Sequence, residues 1–175
     1  WYETERTILV RHENYDYRLP EIPSDVKWLY LSSLADNSLP YHLQIAEWLK
    51  AHPHTKLAFQ PGTFQMKLGV DALKGIYERT ELFVCNKAEA ERILAIEPTD
   101  NKKTFLDGLH ALGPKSVIIT DDRKGAYARS KEGTYWFVPM YPDTRPPFER
   151  TGAGDAFASS ITAALALGLP LEKAL

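Results

Sequence analysis

A single cysteine, Cys85, stands in this chain of 175 residues. That excludes an intramolecular disulfide framework and any zinc or iron–sulfur centre built from several thiolates. No N-x-[ST] glycosylation site occurs, and no apolar run approaches the roughly 20 residues needed to span a bilayer. The longest apolar run, around Ala163 to Leu169, is short and alanine-rich. Charge of one sign is lacking too: Lys and Arg number 21 against 23 Asp and Glu, a net −2. So even a balance carries no electrostatic footprint for nucleic acid and no pull toward an anionic membrane. A reducing, cytoplasmic setting accords with these absences. The chain also lacks an initiator methionine and a signal-peptide pattern at Trp1, and it stops within what reads as the first turn of a helix, Leu171 to Leu175. Both ends read as those of a piece of a longer protein; the other reading is a short protein relieved of a tag or methionine.

What is present is an ordinary globular balance, 44% hydrophobic and 25% charged, enough for one domain with a sizeable core. Apolar runs at Trp28–Leu31, Lys56–Phe59, Leu82–Cys85 and Val117–Ile119 are expected to form buried strands, the last being β-branched throughout. Between them lie helical patterns. One starts near Ser38 and Pro40 with Ile45, Trp48 and Leu49 on a face, another carries Ala72, Leu73, Ile76 and Tyr77, and a third runs from Lys87 to about Leu94 with Asn86 as its cap. A fourth carries Phe105, Leu109 and Leu112 and is stopped by Gly113-Pro114. Residues 126–128 and 135–138 are expected to pair antiparallel around Gly133, and a helix is expected from about Ala153 to Leu167. Alternating strands and helices predict an α/β fold with a mostly parallel sheet and helices on both faces. Ligands of such sheets bind beyond the carboxyl ends of the strands, which makes the residues after each strand the ones to inspect.

Thr151-Gly152-Ala153-Gly154-Asp155 precedes the last long helix. Two glycines around an alanine let the backbone approach a ligand closely. The N–H groups of a helix's first turn are unpaired and carry positive potential, so they form a site for phosphate. Asp155 has two readings: an acidic residue stabilising the first turn by about 0.3–1 kcal/mol, or a base taking the proton of a hydroxyl as a phosphoryl group arrives.

This stretch resembles the carboxyl-terminal signature of the ribokinase-like (PfkB-type) carbohydrate kinases, which phosphorylate sugars and nucleosides. Glu149-Arg150 stands where the family has an Asp-Thr pair. Asn86-Lys87-Ala88-Glu89 is similar to the family's N-x-x-E motif, which helps hold magnesium and phosphates, usually through water; Mg²⁺ favours oxygen ligands and retains waters. The plain alternative is a helix cap and a solvated glutamate. Thr120 and Gly125 match the family's nucleotide-contacting stretch after a strand, but Asp122 occupies the place where a first glycine is common. Weaker likeness extends to residues 6–9, which look like the strand entering the family's lid, and to Phe59-Gln60-Pro61-Gly62, which looks like its post-strand turn.

The resemblance implies a three-layer α/β/α domain over 1–175, with a lid-like strand and connection at 1–24 and the core at 25–175. It implies ATP and Mg²⁺ as cofactors and a sugar or nucleoside as substrate. Asp155 would be the base, with Gly152, Ala153 and Gly154 contributing amides to an anion hole. Asn86 and Glu89 would place the metal, Thr120 and Gly125 the nucleotide, and Arg11 or His12 would approach substrate. Lids of this family also pair in homodimers. The competing classes are a non-catalytic nucleotide- or sugar-binding regulator on the same fold and an inactive fragment. Residues 108–116 imitate a P-loop, but Pro114 displaces the lysine and a strand follows instead of a helix. His12 and His42 read as surface residues, and Cys85 as a buried thiol rather than a nucleophile.

Overall fold

The computed structural model describes residues 13, 15–97, 99–142 and 151–175. The expected lid-like strand at 7–12, with Arg11 and His12, lies outside the described residues, as do Glu149 and Arg150. Six strands form one sheet in chain order: β1 (Trp28–Leu31), β2 (Lys56–Phe59), β3 (Thr80–Asn86), β4 (Ser116–Thr120), β5 (Ala126–Arg129) and β6 (Tyr135–Val138). β1 through β4 are parallel, and β5 and β6 return antiparallel. The helices are α1 (Leu39–Ala51), α2 (Thr63–Leu68), α3 (Lys74–Arg79), α4 (Lys87–Leu94), α5 (Lys102–Ala111), α6 (Ala153–Ala166) and α7 (Leu171–Ala174).

The strand residues alternate between two cores because successive side chains leave a strand on opposite faces. Leu57, Phe59, Phe83, Cys85, Val117 and Ile119 join Ile45, Leu49, Ile76, Tyr77, Phe105 and Leu109 from the helices on one face. Ala58, Leu82, Val84 and Ile118 meet Ala158 and Ile161 on the other. The layers on both faces therefore have different origins. The strand order never reverses from β1 to β4, so right-handed crossovers drop α1 through α5 on a single side. Among the described residues, α6 and α7 alone return over the second face. The α/β expectation holds, with helices on both faces. No helix among the described residues is long and apolar enough to cross a membrane.

Two sequence expectations change. Among the described residues β1 is the edge strand of the sheet and not fully buried: Tyr30 is 39% exposed. A four-residue apolar run cannot show by itself whether it has one neighbour or two. His42 is not a surface residue but fully buried on α1. Its Nδ1 lies 2.7 Å from the Ser38 carbonyl, and its Nε2 3.0 Å from Nε2 of Gln65. A carbonyl only accepts, so Nδ1 carries the hydrogen and Nε2 accepts from the Gln65 amide. That amide also donates to the Ser32 carbonyl at 2.7 Å, while Gln65 Oε1 accepts from the N–H of Gly62 at 2.6 Å. The network pins the turn after β2.

Burial lowers the His42 pKa below the usual 6.5. The unfolded chain then binds a proton that the folded chain resists, so stability is lost as pH falls below about 6.5. Between pH 6.5 and 5.5 the expected loss is up to about 1 kcal/mol. Urea unfolding at the two pH values measures it, and the slope is expected to flatten in His42→Gln.

Candidate functional site

The carboxyl ends of β2, β3 and β4 face the amino end of α6 across a cleft of about 880 Å³. Its wall includes Gln60, Asn86, Glu89, Thr120, Asp122 and Gly152 through Asp155. The sequence-predicted Asn86 and Glu89, Thr120, and Gly152 through Asp155 thus come from three separate segments and converge on one opening, while Gly125 stands outside its lining. Asn86 and Thr120 are direct register partners at the ends of β3 and β4.

At α6, Gly152 is the N-cap with φ +80°, a left-handed conformation that suits glycine. A Cβ there would meet nothing within 4 Å, so the space above it is open. Among the described residues no side chain caps this helix. The first intrahelical bond runs from the Ala156 N–H to the Gly152 carbonyl at 2.8 Å, so the amides of the exposed Ala153, Gly154 and Asp155 precede the helix's own ladder. Asp155 sits in that first turn, exposed, not inside packed protein. Its Oδ1 accepts a hydrogen bond from Gln60 Nε2 at 3.0 Å. Gln60 Oε1 in turn accepts from the Tyr30 hydroxyl. Burial, and secondarily the charge of Asp155, push the Tyr30 phenol up from its ordinary value.

Asn86 and Glu89 form a capping box on α4. The Glu89 N–H donates to Asn86 Oδ1 and the Asn86 N–H to Glu89 Oε2, each at 2.9 Å. The plain reading of this pair as a cap is thus correct for the backbone. The glutamate is not solvated, however: it is half-buried on the cleft wall, and burial pushes its carboxyl above the usual range. Asp155 adds to that rise, while the Asn86 bonds and Arg92 oppose it.

Beyond β4, Asp121 pairs with Lys102 at 2.6 Å, and Asp122 lines the cleft at φ +47°. Asp is among the few residues other than glycine that enter this region. Gly125 has φ +85° and ψ −157°, and a Cβ on it would stand 2.3 Å from the Val138 carbonyl. Its glycine character is therefore required by the approach of β6. The Gly125 carbonyl accepts from the Asp121 N–H at 2.8 Å, closing the turn that presents Asp121 and Asp122.

Among the described residues, Glu89, Asp121, Asp122 and Asp155 line this cleft with Lys87 as the cation beside them. A phosphate chain entering such a wall needs a cation with it. Among the described residues no group of three or more His, Cys, Asp or Glu side chains is placed to hold a metal. The donor set fits Mg²⁺ held through waters and phosphate oxygens, which is how that ion is usually bound. Cys85 is a fully buried thiol at the floor of the cleft, and burial pushes it well above its ordinary value. Nucleophilic chemistry does not suit it. Sequence reasoning did not single out Gln60 and Tyr30 as site residues. The rule that residues following strands face the ligand points to Gln60, but nothing in the sequence pairs it with Tyr30.

Residues 3–175 match the pfkB family carbohydrate kinase. The chain is 32% identical over 108 residues to the ATP-dependent 6-phosphofructokinase of Thermoanaerobacterium thermosaccharolyticum, covering 61% of this chain and 31% of that one. It is 32% identical over 115 residues to the hydroxymethylpyrimidine/phosphomethylpyrimidine kinase of Mycobacterium tuberculosis, covering 60% and 40%. The chain thus spans 31% and 40% of the length of these curated relatives. Among solved structures, the PfkB protein from Polaromonas sp. JS666 superposes with a TM-score of 0.68 at 21% identity, covering 86% of this chain and 50% of that one. The Arabidopsis thaliana ribokinase complexed with ribose and ATP gives 0.69 at 18% identity, covering 86% and 46%. The fold is shared with these kinases, and with a match that runs almost from end to end this chain belongs to the pfkB family of carbohydrate kinases.

Proposed function

We propose that the protein containing this chain transfers the γ-phosphoryl group of ATP to a hydroxyl of a sugar or nucleoside. The observation that carries the reading is an exposed carboxylate, Asp155, in the first turn of a helix that no described side chain caps and that opens on a cleft at the carboxyl ends of the strands. The acceptor oxygen forms a bond to the γ-phosphorus, the bond to the bridging oxygen breaks, and ADP leaves with that electron pair. The hydroxyl proton passes to Asp155. The amides of Gly152, Ala153, Gly154 and Asp155 are fixed dipoles aimed where negative charge develops on the moving group. Thr120 meets the nucleotide, with Gly125 shaping the turn beneath it. Asn86 and Glu89 hold Mg²⁺ through water, and that ion neutralises phosphate charge when bound.

A second acceptor class has its own support. The 32% identity to a hydroxymethylpyrimidine/phosphomethylpyrimidine kinase favours a hydroxymethyl group on a heteroaromatic ring. The test is Mg²⁺-dependent release of ADP by the full-length protein over a panel of sugars, nucleosides and hydroxymethylpyrimidine. The expected result is turnover of one acceptor class far above the rest. ATP binding with no turnover of any acceptor would favour a regulator; no binding of ATP would favour an inactive fragment.

Asp122 supplies a further prediction. Asp122 lines the cleft where phosphates are placed by this reading. Asp122→Gly removes that charge and suits the left-handed backbone, while glycine's extra freedom in the unfolded chain offsets the relief. Stability is expected to move little. ATP affinity by calorimetry is expected to rise about tenfold, the effect of removing a repulsion of roughly 1–2 kcal/mol. Unchanged affinity would place the carboxylate away from the phosphates.

A further inference from the structure

We propose that Gln60 is the positioning residue of Asp155, locked in turn by Tyr30, so that one carboxylate oxygen is held and the other is left to meet the acceptor hydroxyl. The inference rests on the reading of Asp155 as the base and deepens it.

The chain of contacts has a fixed direction. A carboxylate only accepts hydrogen bonds, so the Gln60 amide must turn its NH₂ to Asp155 Oδ1, 3.0 Å away. Its carbonyl oxygen then faces Tyr30, whose hydroxyl must donate. The raised pKa of that phenol keeps it protonated and able to donate at any ordinary pH. One hydroxyl on the edge strand thereby decides which way up the amide stands. An amide free to flip would present its oxygen to the carboxylate and repel it.

The stem of Gln60 is fixed as firmly as its head. Its N–H donates to the Leu31 carbonyl at 2.9 Å, continuing the β1–β2 ladder by one bond. Two residues on, Gly62 packs so closely on β1's exit that a Cβ would stand 2.0 Å from Ser33 Oγ. The buried Gln65 and His42 hold the same turn from beneath. Gln60 therefore presents a short, rigid arm from β2 across to α6, 95 residues later in the chain. Holding a reacting group by neighbours that are themselves locked is what gives it a productive orientation. With Oδ1 engaged, proton transfer falls to Oδ2.

An amide suits this place better than a carboxylate. Glutamate at position 60 has the same shape, but it cannot donate and would set a second negative charge against Asp155. That contrast supplies the test, made on the full-length protein. Gln60→Ala is expected to lower kcat about tenfold, and Gln60→Glu at least as much, with the KM for ATP unchanged in both. Tyr30→Phe is expected to lower kcat about two- to fivefold. A residue that only supports the turn would give the opposite order, with the isosteric glutamate milder than alanine, and that order would overturn the proposal. A second measurement does not need turnover. The side-chain amide protons of Gln60, followed by NMR, are expected to shift on Asp155→Asn and again on Tyr30→Phe. Resonances indifferent to both variants overturn the proposal whatever the kinetics. A wild-type protein that phosphorylates nothing overturns the proposed reaction instead and leaves the amide resonances to decide the contact.

Discussion

Asp155→Asn in the full-length protein is expected to lower kcat by about 10²- to 10⁴-fold, the usual worth of a positioned general base. The substitution is nearly isosteric, and an amide cannot take the hydroxyl proton. The fold should survive it: the side chain is exposed, and the charge–dipole gain lost from the first turn of α6 is only about 0.3–1 kcal/mol. ATP affinity should hold or improve, because the change removes a negative charge from the wall that meets the phosphates. Initial rates with saturating ATP and acceptor, beside calorimetry for ATP, separate the two effects. A variant with wild-type kcat would mean that Asp155 merely stabilises its helix.

Gly125→Ala should produce the largest loss of stability, about 3 kcal/mol or more. Two penalties combine. The backbone at φ +85° and ψ −157° lies in a region essentially reserved for glycine, which costs about 1–3 kcal/mol for any other residue. The new methyl would also stand 2.3 Å from the Val138 carbonyl and 3.1 Å from Pro139 Cα. These are backbone atoms at the end of β6 and cannot rotate aside, so the end of the β5–β6 pair must shift. Against a typical total of about 5–15 kcal/mol, this is a large fraction. The urea midpoint reads the effect directly. Because the Gly125 carbonyl closes the turn carrying Asp121 and Asp122, nucleotide binding should weaken as well. A midpoint within error of wild type would show that β6 yields easily.

The sheet was legible where a strand's two faces both carry apolar side chains. Val117-Ile118-Ile119 and Leu82 to Cys85 needed no context, since each residue lies in one core or the other. Tyr30 and His42 were misjudged for a shared reason. Their environments depend on what stands beside them: an open edge for one, and Gln65 on another helix for the other. Local patterning carries no information about a neighbour 23 residues away. The candidate anion site was legible because its residues are contiguous, Gly152 to Asp155 in a single turn. The arm from Gln60 was not, because Tyr30 on β1 and Gln60 just past β2 acquire a shared partner only when α6 brings Asp155 to them.

That late arrival has a consequence for biosynthesis. Each parallel strand docks on its immediate predecessor, so the sheet can grow as the chain leaves the ribosome, with amino-terminal parts folding first. Until α6 emerges, Ala58, Leu82, Val84 and Ile118 lack the cover that Ala158 and Ile161 supply, a greasy surface that other nascent chains or a chaperone can grip. The segment that shields this surface is the same one that carries Asp155, so a polypeptide interrupted before it would be both sticky and without that carboxylate.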